Sequence, residues 1–377
     1  MAVYKIFPTK DATLYSYYPS MNTGLDAILE ASNTINIEGN PIISRYLVEF
    51  DTTELQDIIN NKISGSTFDV YLKNSISTAQ GINADVTIET SPIAQSWNNG
   101  TGYYLDNPKV TDGVSWGFTT TSGSGNWSMS GSVSGYGYTG SYNPTYSIQG
   151  GGSWFTSSAL IPSISESFGL RSEKDLSLGV KEIVNLWYSG SIPNYGFITK
   201  LSGSSEFNTS LNYQPVLKYY SVDTNTIYPP QLEFKWRDYS SITPNSSSVV
   251  SSKQIKLSLD DNPGEFYPSS VNRFYVNVSP LYPTRTYQTS SLFTDINYLP
   301  TSSYYAIKDL ATNEFVINFD TQYTQISSDS RGNYFNVYMS GLEPERYYKV
   351  LIKTIINGST LILDDDYYFK VINGWVK

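Results

Sequence analysis

The chain has 377 residues, enough for two or three domains, with 33 tyrosines, 15% aromatic residues and only 15% charged residues, against an ordinary charged share of about 25%. A net charge of -10 without a basic cluster argues against a phosphate backbone as ligand, which needs grouped Lys and Arg. The absence of cysteine and histidine excludes disulfides and thiolate metal sites. It also removes the commonest general base and transition-metal ligand.

In chain order, residues 3–7 (VYKIF), 12–15 (ATLY), 27–31 (AILEA), 44–50 (SRYLVEF), 67–73 (TFDVYLK) and 84–89 (ADVTIE) read as strands bounded by Pro, Gly and Asn. Leu55, Ile58 and Ile59 predict one short helical turn after strand 44–50. The first twenty residues lack the basic-then-apolar pattern of a secretory signal. No stretch approaches the roughly 20 apolar residues of a membrane span, so neither export by a signal nor membrane insertion is expected.

Residues 119–153 are almost purely Gly, Ser, Thr, Asn and Tyr. A stretch this long without strong patterning is expected to be a functional loop or a packed insertion. Its tyrosines set it apart from a Gly/Ser linker and suit a contact surface. Trp127, Tyr136, Tyr138, Tyr142 and Tyr146 are therefore the candidate carbohydrate- or partner-binding residues, expected to be exposed. Trp97, Trp154 and Trp187 are expected in the core.

Residues 175–188 (DLSLGVKEIVNLWY) predict a helix. Val180, Ile183, Val184 and Trp187 form its apolar stripe, Asp175 or Ser177 would cap its start, and Gly190 would end it. Strands 196–202 and 214–222 close this first domain, and the polar, Pro-rich 223–230 reads as a linker. From 231 to 377, eight runs (232–236, 254–259, 273–279, 302–309, 315–319, 334–340, 347–355 and 366–372) have the spacing of a β-sandwich.

Several of these segments resemble a known family. The opening FPTKDATLYSYYPSMNTGLDAILEA with its Asn22-Thr23-Gly24 turn, SRYLVEFD at 44–51, SWNNGTGYY at 96–104, and the run from Asp175 to Glu206 are similar to DNRLRE proteins. These are carbohydrate-binding-module-like sandwiches of bacterial surfaces and phage virions. The likeness covers roughly residues 3–222, with 119–153 departing from it as an insertion. In the second half, Leu342, Pro344 and Tyr348 resemble the Leu-x-Pro-x-x-x-Tyr stretch of fibronectin type III modules, which implies a corner hydrogen bond from Tyr348 to upstream backbone. The opening also looks like structural proteins of large tailed bacteriophages.

The expectation is thus an all-β chain of two tandem β-sandwiches: a jelly-roll-like domain with one short helix at 1–222, then an Ig/fibronectin-III-like domain at 231–377. The expected function is a virion structural protein of a tail, baseplate, neck or capsid exterior. It would make assembly contacts with other virion proteins, be homo-oligomeric within the assembly, and bind host surface glycan weakly. It would be assembled in the host cytoplasm and bind no nucleic acid. The alternative is a secreted or surface bacterial glycan-binding adhesin. A glycosidase or lyase working through two carboxylates from Asp11, Asp26, Glu30, Glu89 or Glu173 ranks last, because no motif joins them and Glu30 and Glu89 read as outward strand residues. No enzyme activity, catalytic residue, cofactor or metal is expected. A structural Ca²⁺ on Asp11 or on Asp260-Asp261-Asn262 is the alternative to reading the latter as a turn.

Overall fold

The computed structural model describes residues 2–63, 67–82, 84–143, 145, 148–156, 161–162, 164–210, 212–244, 248–282 and 296–373. The chain is all-β, and the described residues place its strands in five sheets with short helical pieces between them. It forms two compact units: residues 6–61 with 70–233, and residues 1–5 and 62–69 with 234–377. A linear division at 223–230 misses this exchange, because Val3 enters the core of the C-terminal unit.

The N-terminal unit is built around the long Pro41–Phe50 strand. Pro8–Tyr15 pairs along one side of it, and Phe197–Leu201 followed by Ile28–Ile35 pair along the other, all antiparallel. Val86–Pro92 and Ile164–Phe168 extend the sheet beyond Phe197–Leu201, while Val216–Tyr220 and Ile76–Gln80 extend it beyond Ile28–Ile35. Alternation along these strands buries Ala12, Leu14, Ile43, Leu47 and Ile198 in a core shared with Trp97 and Trp116. The linker reading of 223–230 gives way to packing. The Ser221 hydroxyl donates to the Asp26 carbonyl at 2.6 Å, Tyr228 stacks on Tyr220, and Pro229 and Pro230 are buried.

The helix after Pro41–Phe50 starts where Asp51 caps it, its carboxylate accepting from the N–H groups of Thr53 and Glu54 at 3.0 and 3.3 Å. The later helix is shorter than the sequence predicts. Leu176–Gly179 is a strand on residues 71–74, and the helix spans only Lys181–Tyr188. Leu176 and Leu178 alternate with exposed residues at period two, so that segment follows the sheet. The predicted caps do other work: Asp175 accepts from the Ile76 N–H at 2.7 Å, and the Ser177 N–H donates to Glu166. The apolar stripe is as expected, with Val180, Ile183, Val184 and Trp187 buried and the Trp187 ring 4.6 Å from that of Phe197. Gly190, at φ 70°, ends the helix.

The C-terminal unit is a sandwich of two sheets. One runs Ile255–Asp260, Val271–Pro280, Gly332–Tyr338, Ser327–Asp329; the other runs Glu265–Phe266, Ser359–Val371, Arg346–Ile356, Ser303–Asp309, Phe315–Ile317. Stacked rings fill the space between: Phe274 on Phe335, Phe335 on Tyr305, and Phe369 against both Phe274 and Tyr348. The buried Tyr348 donates its hydroxyl to the Glu343 carbonyl at 2.9 Å, the bond that the Leu342–Tyr348 pattern predicts. Replacing Tyr348 by Phe keeps the ring and orphans that carbonyl. The expected loss is about 1–1.5 kcal/mol of unfolding free energy in urea titrations, and an unchanged midpoint would count against the corner.

Candidate functional site

The described residues of the 119–153 insertion build a sheet of their own. Ser130–Val133, Tyr136–Asn143 and Ile148–Phe155 form a three-stranded antiparallel meander, with Ile148–Phe155 on one side and Ser130–Val133 at the free edge. Of the candidate contact residues, Trp127 is contradicted. It is only 4% exposed, lies in the core with Trp97 and Trp116, and donates its indole N–H to the Ser115 carbonyl at 3.0 Å. A lone Trp among polar residues lost its surface role because its N–H found a backbone acceptor inside. Tyr136 and Tyr138 are half-buried, and Tyr138 packs edge-on against Phe155. Tyr142 is 59% exposed, and Tyr146 lies outside the described residues. Trp97 and Trp187 are core residues as expected, whereas Trp154 is half-buried.

The meander is fastened to the unit through Arg45. This fully buried guanidinium grips Glu206 with two bonds of 2.6 and 2.9 Å, and donates to the Gly151 carbonyl at 2.7 Å and the Ser141 hydroxyl at 2.9 Å. The rings of Trp116 and Trp154 lie 4.9 and 5.2 Å from its central carbon. Gly150, Gly151 and Gly152 all have positive φ, and a Cβ on Gly151 would sit 2.7 Å from the Trp116 ring. The triple glycine therefore makes the bulge that lets backbone approach both Trp116 and Arg45.

A second surface was not singled out from the sequence. Two turn segments far apart in the chain, Asn22-Thr23-Gly24 and SWNNG at 96–100, meet in space. The buried Asn22 amide donates to the Asn99 and Val114 carbonyls at 2.6 and 2.8 Å, and its carbonyl accepts from the N–H groups of Gly24 and Gly102 at 3.1 and 2.9 Å. Added Cβ atoms on Gly24, Gly100, Gly102 or Gly113 would lie 2.1–2.5 Å from Asn22 or Asn99. All four positions are thus reserved for glycine by close approach. Three of these four Asn22 bonds hold the 98–114 loop, and the fourth closes its own turn onto Gly24.

That loop presents Tyr104 beside the 15–18 segment. Tyr104 tilts on Tyr15 with ring centres 4.9 Å apart, and Tyr17 meets Tyr18 edge-on at 4.7 Å. The Lys109 ammonium lies 5.2 Å from both the Tyr18 and the Tyr104 ring centres and donates to the Tyr104 carbonyl. Tyr17, Tyr18 and Tyr104 are 58%, 36% and 39% exposed. Beneath them, Asp26 accepts from the Tyr104 N–H at 3.1 Å, and Asp106 accepts from the Tyr103 N–H at 2.7 Å. Burial, then the nearby Glu30 and Asp26 carboxylates, push the Tyr15 hydroxyl well above its usual range; Tyr104 shifts the same way, mainly from burial and Glu30.

No known family model, curated protein or solved structure matches this chain.

Of the five carboxylates weighed for glycosidase chemistry, Asp26 and Glu30 share the surroundings of Tyr15 and Tyr104, and the other three lie in environments of their own. Asp11 is buried and accepts from the Val222 N–H at 2.7 Å. Glu30, expected to point outward, is instead mostly buried and accepts from the Ser32 and Ser44 hydroxyls at 2.7 and 3.1 Å. Glu89 pairs with Lys200 at 2.8 Å, Asp26 lies under the tyrosines, and Glu173 is exposed. Asp260-Asp261-Asn262 forms a turn: Asp261 has φ 59°, and Asn262 accepts from the Gly264 N–H and donates to the Tyr368 carbonyl.

Proposed function

We propose that this chain is a bacteriophage virion structural protein whose N-terminal unit makes assembly contacts and touches host surface glycan. The observation that carries the contact role is the meander. Residues 113–165 bear no charged side chain in a chain of net charge -10, and Ser130–Val133 ends the meander as an exposed edge. Edge strands are ordinarily shielded by Lys, Pro or bulges; this one has only its shortness. Two acidic copies approach here without repulsion, so the edge suits pairing with a second copy in an assembly. The likeness of 3–222 to DNRLRE sandwiches and of the opening to tailed-phage proteins supports the virion setting. The adhesin alternative shares the glycan contact and lacks the assembly.

Mass spectrometry of purified phage particles tests the setting: peptides of this chain are expected in stoichiometric amount, and their absence sinks the reading. The contact is tested with single cysteines, which the Cys-free chain makes clean. Ser132→Cys on the free edge is expected to give disulfide-linked dimers at least 10-fold faster than Glu38→Cys on an exposed turn. Equal rates would remove the edge from the contact.

A further inference from the structure

We propose that Tyr17, Tyr18 and Tyr104 form a saccharide-binding platform selective for neutral or amino sugars over acidic ones. This deepens the glycan-contact part of the proposed function and rests on it. Sugar recognition needs flat apolar rings for the C–H faces of pyranoses and polar groups at the ring edges for their hydroxyls. The three tyrosines supply the rings, exposed and within one cluster bridged by Lys109. Tyrosine gives such contact area at a low entropy cost.

The platform is built before any ligand arrives. Asn22 and the four glycines packed around it and Asn99 fix the 98–114 loop, and Thr101 adds two bonds to Asp112, at 3.0 Å from its N–H and 2.6 Å from its hydroxyl. A ligand therefore does not have to order the loop.

The charge distribution decides the sugar class. Asp26, Glu30, Asp106 and Asp112 are the carboxylates of this surface, and Lys109 and Lys218 its cations. Lys218 lies 3.4 Å from Glu30, and the Lys109 ammonium is held over two rings and on the Tyr104 carbonyl. Lys109 keeps its charge, and four carboxylates against two cations still leave the surface net negative, which repels uronic or sialic acids and attracts an amino group, while carboxylate oxygens accept hydroxyl hydrogens. An open platform binds one sugar weakly, so useful affinity requires many copies, as on a particle.

The test is a glycan array probed with the full chain multimerised on beads. Neutral and amino-sugar glycans are expected to be retained and acidic ones not. Tyr104→Ala and Tyr17→Ala should each lower retention at least 10-fold, whereas Tyr267→Ala, at an exposed tyrosine of the C-terminal unit, leaves it unchanged. Tyr17 is the more exposed of the two, so its replacement keeps the test valid if Tyr104→Ala perturbs the loop. The proposal is overturned if no neutral or amino glycan is retained, if acidic glycans are preferred, or if Tyr17→Ala binds like the parent. Detection in particles is measured separately, so the virion setting and the sugar site can fail independently.

Discussion

Removing Arg45 is expected to cost the N-terminal unit about 3–5 kcal/mol, because it strands Glu206 as an unpaired buried carboxylate. Glu206 is 3% exposed at its side chain and Arg45 0%, so water cannot replace the lost partner without the fold opening. Arg45→Lys should recover little. An ammonium offers a point charge where this site uses a planar fork, with two bonds to one carboxylate and two more to Gly151 and Ser141. Arg45→Met with Glu206→Leu should recover part of the loss, since apolar residues can replace a buried pair. The recovery stays incomplete because the Gly151 carbonyl and the Ser141 hydroxyl oxygen both lose the donor that Arg45 supplies. Urea titration followed by tryptophan fluorescence measures this well: Trp97, Trp116, Trp127, Trp154 and Trp187 all belong to the N-terminal unit. A loss below about 1 kcal/mol for Arg45→Ala would mean that the cluster relaxes into solvent and does not fasten the meander.

Arg45 also shows where sequence reasoning ends. Its strand is legible from period-two alternation, as are nearly all the others, because sheet burial imposes that period locally. That Arg45 is buried depends on Glu206, 161 residues away, and no local pattern carries such a partner. The same holds for Asn22. Its segment and SWNNG are recognisable separately, but their meeting across 77 residues is a property of the folded sheet. The meander hid behind composition: Tyr136 and Tyr138 alternate with Gly137, yet Gly and Ser outweigh that signal in any propensity sum. The tyrosine platform had a readable clue, two adjacent Tyr-Tyr pairs at 17–18 and 103–104 in turn-rich segments. Adjacent aromatics outside a strand cannot both find the core, so at least one of each pair is left for the surface. The helix boundary was missed because Leu176, four residues before Val180, also continues the helical stripe, and Gly179 marks the change only once the pairing with residues 71–74 is known.

The N-terminal unit should be more stable at pH 5 than at pH 8, with Asp11 as the main cause. Asp11 sits inside the Pro8–Tyr15 strand, 1% exposed. Burial pushes its carboxyl up to about 8 from an ordinary 3.8; the Val222 N–H opposes the shift and the Asp223 carboxylate adds to it. The folded state therefore keeps a proton that the unfolded chain releases throughout the interval between those two values. Stability is insensitive to this group below about pH 3.8, falls as pH rises through the interval, and levels off above about pH 8. This is opposite in sign to a salt-bridged carboxylate such as Asp309, which, against the upward push of its burial, Arg346 and Thr312 hold down at about 2. At about 1.4 kcal/mol per pH unit, the loss at pH 7 relative to acid is on the order of 4 kcal/mol. Asp26, Glu49 and Asp223 are also raised, chiefly by burial, and act in the same direction. Asp11→Asn retains an oxygen to accept the Val222 N–H and has no proton to lose. The variant should match the parent near pH 4 and exceed its urea midpoint increasingly towards pH 8. Parallel midpoint curves for the two proteins would show that Asp11 ionises freely in the folded state, and the pH dependence would then have to come from the other three carboxylates.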